Sequence, residues 1–284
     1  MHERPKAIQR ILLSPATSIL MAIIALGLMS AWVGCSWIVT LLSLIIAALM
    51  TSQIKARALY NGVYYPYLGI FLLLQAAMPP SIEGIVLTLV AIVVITTLLI
   101  CFNVPSATRA LFLIFLACGT GALFNRSYAL LAGIFLVATI LVRAFSARGL
   151  VASLLGFITP AIITLPTKIV NYQIVLSAYN KYFAPGYDTE LIIIAFAALI
   201  AGSITFLPSY GYPARSRARN MTILGITIGA AILPFIDFAN AENYYGLLNL
   251  CVAYNICHMA SLKHSGWIYI VLTWGILLGM ILTI

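Results

Sequence analysis

The chain has 284 residues, of which 63% are hydrophobic and only 7% are charged, and its mean hydropathy is +1.11. This composition excludes an ordinary soluble domain and predicts a polytopic membrane protein. The net charge of +9 does not indicate nucleic-acid binding, because the basic residues form short clusters between long apolar runs.

The apolar runs predict membrane spans in chain order. Residues Ile11 to Ile54 include no charged side chain. As one helix they would measure about 66 Å, about twice the roughly 30 Å hydrocarbon core of a bilayer. We therefore expect two crossings here, separated near Gly34, and the same reasoning applies to the rest of the chain. It predicts one all-α transmembrane domain, 1–284, a helix bundle with eleven candidate spans at 16–33, 37–53, 62–78, 84–102, 110–124, 127–142, 149–165, 191–207, 221–236, 246–260 and 266–284.

Four of the candidate spans have only 15 or 16 residues, at or below the length that a crossing helix usually needs, and two of these, 110–124 and 127–142, are neighbours in the chain. They form either two short crossings or one re-entrant pair, so the predicted number of spans is 9 to 11. The later loops lie on the same side of the membrane in both cases, because removing two spans does not change whether the number of preceding crossings is odd or even.

Clustered basic residues predict the orientation. With the amino terminus in the cytoplasm and the carboxyl terminus outside, 12 of the 15 Lys and Arg residues are cytoplasmic, as the positive-inside rule requires. The three external basic residues are Arg126, Lys168 and Lys181. Five of the six acids are then external, namely Glu83, Asp188, Glu190, Asp237 and Glu242.

Two loops carry further patterns. Residues 167–190 show apolar and aromatic positions at near-helical spacing, which predicts an external amphipathic segment that is either a simple connection or a lid over a lipid-facing groove. Residues 208–220 form a basic loop on the cytoplasmic side, in which Arg215, Arg217 and Arg219 alternate. Each arginine near an anionic surface contributes about 1 kcal/mol. We interpret the three as a topology anchor, with binding of a lipid phosphate or of a partner as the alternative.

His258 is the one ionisable side chain that falls well inside a predicted span. Together with Cys251 and Asn255 it lies at i, i+4 and i+7 on one helix face. We expect Asn255 and His258 to face the bundle interior and to form interhelical hydrogen bonds, with a substrate or proton contact as the alternative. The five cysteines and three histidines show no metal-ligand spacing, and no cofactor motif is present, so neither a metal nor a cofactor is expected.

Small residues one turn apart occur twice, as Gly225 with Gly229 and as Gly275 with Gly279. This spacing lets two helix backbones approach closely. We expect packing between helices of the same chain, with dimerisation as the alternative.

The middle of the chain resembles a known family. Residues 121–160, with Leu123-Phe124-Asn125-Arg126-Ser127, Arg143-Ala144-Phe145-Ser146-Ala147-Arg148 and Leu154-Leu155-Gly156-Phe157-Ile158-Thr159-Pro160, resemble a family of uncharacterised multi-pass inner-membrane proteins from Bacteroidota. The resemblance implies a location in the bacterial inner (cytoplasmic) membrane and lends no catalytic residues. The layout is also loosely similar to integral-membrane glycosyltransferases and polysaccharide polymerases that use polyprenyl-phosphate sugars. Their first external loop typically carries an acid, whereas here that loop is Gly34-Cys35-Ser36.

Three functions are compatible with these patterns. The first is a non-catalytic accessory or scaffold subunit for cell-envelope assembly, in contact with membrane lipids and with a membrane-protein partner. The second is an external transferase or polymerase for a lipid-linked glycan, with Asp237 and Glu242 as the best-placed catalytic acids. The third is a passive or lipid transporter. On the first hypothesis both acids are solvated turn residues. On either of the first two hypotheses their amide variants Asp237→Asn and Glu242→Gln preserve shape and keep the normal protein level.

Overall fold

The computed structural model describes residues 14–31, 36–57, 65–104, 107–167, 186, 188–209, 211, 213–260, 271 and 275. Up to residue 260 these ranges form ten α-helices and no strand, so the predicted all-α fold class is confirmed for them. The helices are α1 (Pro15–Ala31), α2 (Trp37–Arg57), α3 (Pro66–Ala77), α4 (Ile82–Ile100), α5 (Thr108–Ala122), α6 (Ser127–Leu141), α7 (Ala147–Thr167), α8 (Thr189–Ser209), α9 (Ala214–Ile236) and α10 (Glu242–Ala260), with a short 3₁₀ turn at Phe238–Asn240 between α9 and α10.

Four of these helices are long and apolar enough to cross a membrane, at Trp37–Lys55, Ile82–Ile100, Ala147–Pro166 and Ala214–Ile236. Several others are apolar but shorter; α3, with 12 residues, measures only about 18 Å. The chain is therefore a helical membrane protein by length and composition, while the number of crossings and their direction stay predictions.

Local signals position the helix ends. The α3 helix has Pro66 at its start and ends before Pro79 and Pro80, which have no N–H to continue its hydrogen bonds. The α4 helix follows at once and is capped by Ser81, whose hydroxyl accepts a 3.0 Å hydrogen bond from the N–H of Gly84. These signals place the end of α3 and the start of α4 side by side.

Helix α10 occupies the centre of the bundle. It packs against α3, α4, α8 and α9, and every residue from 243 to 259 except Tyr245 is buried. This helix carries Asn243, Asn249 and Asn255. A polar side chain exposed to lipid has no partner for its hydrogen bonds, so a helix with three asparagines is stable in a membrane only where other helices surround it.

The peripheral helices have the opposite character. Helix α7 packs against α5 through two close contacts between backbones: a Cβ added at Gly119 or Gly156 would collide with the carbonyl of Phe157 or Phe112. The outer face of α7 exposes large apolar side chains, among them Leu154, Ile158 and Ile162. An apolar surface of this extent fits contact with acyl chains.

The bundle has two chemically distinct ends. We call the end that holds Glu83, Arg126, Asp188, Asp237 and Glu242 the acidic end, because in the described ranges all exposed carboxylates occur there. The basic end lies opposite and holds the first turns of α5, α7 and α9 with Arg109, Arg148 and Arg215.

The short pair α5 and α6 extends between these two ends. Arg126, in the turn between the two helices, bonds to Asp237 at the acidic end. At the other end of α6, the carbonyl of Val142 accepts a hydrogen bond from the N–H of Asn103, just beyond α4. The pair therefore runs alongside the 19-residue α4 from one end of the bundle to the other.

One predicted boundary is wrong. Helix α9 begins at Ala214, so Arg215, Arg217 and Arg219 lie in its first two turns and not in a loop spanning 208–220. A span predicted from hydropathy ends at the first charged residues. Alanine and arginine nevertheless both favour the α-helix, so the helix continues through them. The segment at 168–185, the break at 32–35 and most of the last span lie outside the described residues.

The first pair of spaced glycines behaves as predicted. A Cβ added at Gly225 or Gly229 would meet Leu141 or Ile134, so both glycines pack against α6 of the same chain. The second pair falls mostly outside the described residues.

Candidate functional site at the acidic end

A buried ion pair stands at the centre of the acidic end. The Arg126 guanidinium bonds to both carboxylate oxygens of Asp237, through Nη2 to Oδ1 and through Nε to Oδ2 at 3.2 Å. The side chains are only 7% and 0% exposed. The same carboxylate accepts hydrogen bonds from Tyr244 Oη at 3.0 Å and from Asn240 Nδ2 at 3.0 Å. A buried carboxylate with this many donors is held in one position.

The chain builds this pair with a tight reversal. Helix α9 contains Pro234 and ends at Ile236, and the 3₁₀ turn after it folds the chain back into α10. The reversal brings Asn240 and Tyr244 to the carboxylate of Asp237. Arg126 arrives from the turn between α5 and α6, which is 111 residues away in sequence.

A second set of hydrogen bonds ties α4, α6 and α10 together beside the ion pair. The hydroxyl of Ser81 donates to Asn243 Oδ1 at 2.5 Å, and the N–H of Ser81 donates to the carbonyl of Glu242 at 3.3 Å. Asn243 Nδ2 in turn lies 3.5 Å from Ser127 Oγ. A Cβ added at Gly84 would lie 2.6 Å from the carbonyl oxygen of Glu242, so glycine is needed for this approach.

An open polar recess of about 680 Å³ lies outside this framework. Its lining includes the carboxylates of Glu83, Asp188 and Glu242, all on exposed residues at the starts of helices, together with Ser81 and Tyr245. Glu83 also accepts a hydrogen bond from Asn125 Nδ2. The recess thus presents three carboxylates, and two of them, those of Glu83 and Glu242, stand on backbone that is held by the hydrogen bonds beneath it.

The sequence-predicted acids therefore have different environments. Glu242 lines the recess and is exposed, whereas Asp237 is buried and saturated with hydrogen bonds. The expectation that Asp237 is a solvated turn residue is wrong, because the arginine that neutralises it comes from a distant part of the chain. Among the described residues no group of three His, Cys, Asp or Glu side chains is placed to hold a metal ion.

The central helix extends the polar contacts into the bundle. Asn249 Nδ2 donates to the carbonyls of Leu74 at 3.2 Å and Met78 at 3.0 Å, where α3 ends. Asn255 Nδ2 donates to Thr227 Oγ1 of α9 at 2.8 Å. Successive asparagines are six residues apart, about 240° round the helix, so each one binds a different neighbour.

The predicted interior position of Asn255 and His258 is confirmed, since their residues are 2% and 1% exposed. The ring of His258 lies 6.1 Å from that of Tyr254, measured between centroids. Both residues belong to the packing of α10, and neither lies at the recess.

The three arginines of α9 are not equivalent. Arg215 is exposed and Arg217 is half-buried, whereas Arg219 is only 8% exposed and lies inside the basic end. The sequence predicted one surface group, because the alternation of three arginines in a predicted loop carries no information about which of them is buried. It also missed Arg126, Tyr244 and Asn249, whose partners lie on other helices.

The fold and the site thus define a helical membrane protein with a hydrogen-bonded polar cap at one end. No protein-family model matches the chain, and neither a curated protein nor a solved structure shows significant similarity to it.

Proposed function

We propose that the protein is a non-catalytic accessory subunit of a cell-envelope assembly in the bacterial inner membrane, with its acidic end outside. In this proposal the recess receives a positively charged segment of a membrane-protein partner. The observation that carries it is the combination of three exposed carboxylates around one recess with a fourth, Asp237, whose oxygens already bond to Arg126 and Tyr244.

Charge and rigidity support a docking role. Docking by charge requires carboxylates that are accessible and held in place. Glu83, Asp188 and Glu242 are exposed, and Glu83 also accepts a hydrogen bond from Asn125. Complementary charges steer the encounter and select the partner more than they add affinity. The central packing of α10 gives the recess a stable base.

The rival function is an external transferase for a lipid-linked glycan, with Glu242 as general base. A base must lie within hydrogen-bond distance of the proton that it removes, and a displacement of about 1 Å costs about 100-fold in rate. A docking charge has no such requirement. A substitution that shifts the carboxylate but keeps its charge should therefore impair the transferase reaction and leave docking intact.

The test compares Glu242→Asp with a triple variant, Glu83→Gln, Asp188→Asn and Glu242→Gln, in a deletion strain. We expect Glu242→Asp to retain both the co-purifying membrane-protein partner and the normal envelope glycan profile. The triple variant should lose the partner while its membrane level stays normal, because each amide preserves the shape of its acid. Loss of the glycan in Glu242→Asp, with partner binding intact, would establish the transferase instead.

The orientation is tested separately by cysteine labelling on a cysteine-free background. Ala239→Cys, exposed at the acidic end, should react with an impermeant thiol reagent from outside, and Ser216→Cys at the basic end should react only with a permeant one. The reverse pattern would place the recess in the cytoplasm and rule out an external partner.

A further inference from the structure

We propose that the basic end contains a binding site for a phosphate group, formed by Arg219 and Asn220 of α9 beneath the exposed Arg215. The site is independent of the recess, since it lies at the other end of the same 23-residue helix. Its ligand is a phosphate monoester or diester, carried either by a lipid headgroup or by a soluble molecule.

The first observation is an unsatisfied donor. Asn220 is only 7% exposed, and its Nδ2 has no hydrogen-bond partner, although its Oδ1 accepts a 2.8 Å bond from Tyr254 Oη. That bond fixes the amide and leaves the Nδ2 hydrogens on its other side. A buried amide N–H without an acceptor is costly, so a donor held in this way indicates an acceptor that binds from outside.

The second observation is the charge beside this donor. Arg219 is 8% exposed and brings a permanent positive charge into the same turn of α9. Arg219 has interactions of its own within the protein, and its contribution here is its charge. Every Asp and Glu of the described ranges lies at the acidic end, so the field around Asn220 favours an anion.

The helix geometry opens this pair toward the surface. Side chains on an α-helix lean toward its amino terminus, so Arg219 and Asn220 lean toward the first turn of α9. Arg215 stands one turn before Arg219 and Ser216 one turn before Asn220, on the same two faces. Arg215 and Ser216 therefore carry donors on the side of the helix start, the side toward which Arg219 and Asn220 lean.

A phosphate fits this chemistry better than a carboxylate. Its oxygens can accept from a guanidinium, an amide and a hydroxyl at once, and Arg is the residue that binds phosphate with paired hydrogen bonds. The position at a membrane-facing bundle end makes a phospholipid headgroup one source, and a soluble phosphorylated compound is the other.

The test uses the full-length protein in non-ionic detergent. Inorganic phosphate should raise the midpoint of thermal unfolding above the value in chloride of equal ionic strength. Asn220→Asp should abolish this shift, or weaken phosphate binding at least about tenfold, because it removes the donor and adds a negative charge. The variant still accepts the bond from Tyr254, so it should fold. The matched control is Arg148→Gln, which lowers the net charge by the same amount at an exposed position of the basic end and should keep the shift.

The source of the phosphate is distinguished in nanodiscs of phosphatidylcholine with and without phosphatidylglycerol. Retention of phosphatidylglycerol by the wild type and its loss in Asn220→Asp, observed by native mass spectrometry, would identify a lipid headgroup. A shift with inorganic phosphate but no selective lipid would identify a soluble ligand. An equal loss of the shift in Asn220→Asp and Arg148→Gln, or no response of the wild type to either probe, would overturn the site.

Discussion

Each end of the bundle buries an arginine, and the two arginines differ in what surrounds them. At the acidic end Arg126 donates two hydrogen bonds to Asp237. The same carboxylate also accepts hydrogen bonds from Tyr244 and Asn240. At the basic end Arg219 lies next to an amide donor that has no acceptor, among residues that are themselves basic. At the acidic end the two charges thus compensate each other, and all of these hydrogen bonds come from the same chain.

This difference shows how a membrane protein can use a buried charge in two ways. A charge that is paired within the chain holds helices in register, but it is not available to bind a ligand because its hydrogen bonds are occupied. A charge beside an unsatisfied donor favours binding of an anion. The stability of the acidic end is therefore expected to depend on the Arg126–Asp237 ion pair.

The largest effect is expected from Asp237→Asn. This substitution keeps the shape of the side chain and leaves the Arg126 charge buried without its counterion, which should lower the free energy of unfolding by about 3 to 5 kcal/mol. Titration with SDS in mixed micelles measures the loss. The exposed control Arg148→Gln should stay within about 0.5 kcal/mol. A fully stable Asp237→Asn protein would show that the pair does not hold the acidic end together, and would restore the prediction made from sequence.

Two buried tyrosines, one at each end of the bundle, test the same contrast. Tyr244 and Tyr254 are 0% and 1% exposed and each donates to one side chain, a carboxylate at the acidic end and an amide at the basic end. Tyr244→Phe should cost about 1.5 to 3 kcal/mol and Tyr254→Phe about 0.5 to 1.5 kcal/mol, because bonds to charged groups are stronger. Equal losses in the same titration would contradict the contrast between the ends.

Gly84→Ala tests the close contact that supports the recess. The added Cβ would lie 2.6 Å from the Glu242 carbonyl and 2.9 Å from the Asn243 Cα, and relief requires movement of α4 against α10. We expect a loss of about 1 to 3 kcal/mol. Gly133→Ala is the control, because no atom lies within 4 Å of its Cβ position; it should be neutral or stabilising by up to about 1 kcal/mol. A harmless Gly84→Ala would mean that the two helices are free to move apart.

The smallest effect is expected from Arg215→Gln. Arg215 is exposed at the start of α9, so its removal should change the free energy of unfolding by less than about 0.5 kcal/mol. A loss comparable to that of Asp237→Asn would show that the basic end is as tightly closed as the acidic end.

Much of the secondary structure could be predicted from the sequence. Apart from α9, every helix begins within four residues of a predicted span, because a long apolar run has few other ways to satisfy its backbone in a membrane. The early start of α9 was missed because three arginines look like a loop when only hydropathy is considered. The interior position of Asn255 and His258 was also predictable, since lipid offers their side chains no partner.

The sites were less accessible to such reasoning. Glu242 was identified as an exposed acid, but its grouping with Glu83 and Asp188 around one recess joins the starts of three helices. The prediction that Asp237 is a solvated turn residue was wrong, and the burial of Arg219, in contrast to Arg215, was not predicted. Each of these facts concerns a neighbour that the local sequence does not contain.

Apolar run length and charge spacing act locally along the chain, so the sequence was enough to predict that this protein is helical and suited to a membrane. The packing of the helices brings Arg126 to Asp237, places Asn249 at the end of α3 and sets α10 at the centre of the bundle. Hydrogen bonds and ion pairs act over a few ångströms, and these partners are more than a hundred residues apart in sequence. Their meeting depends on how the helices are arranged, and the pattern of no single helix encodes it.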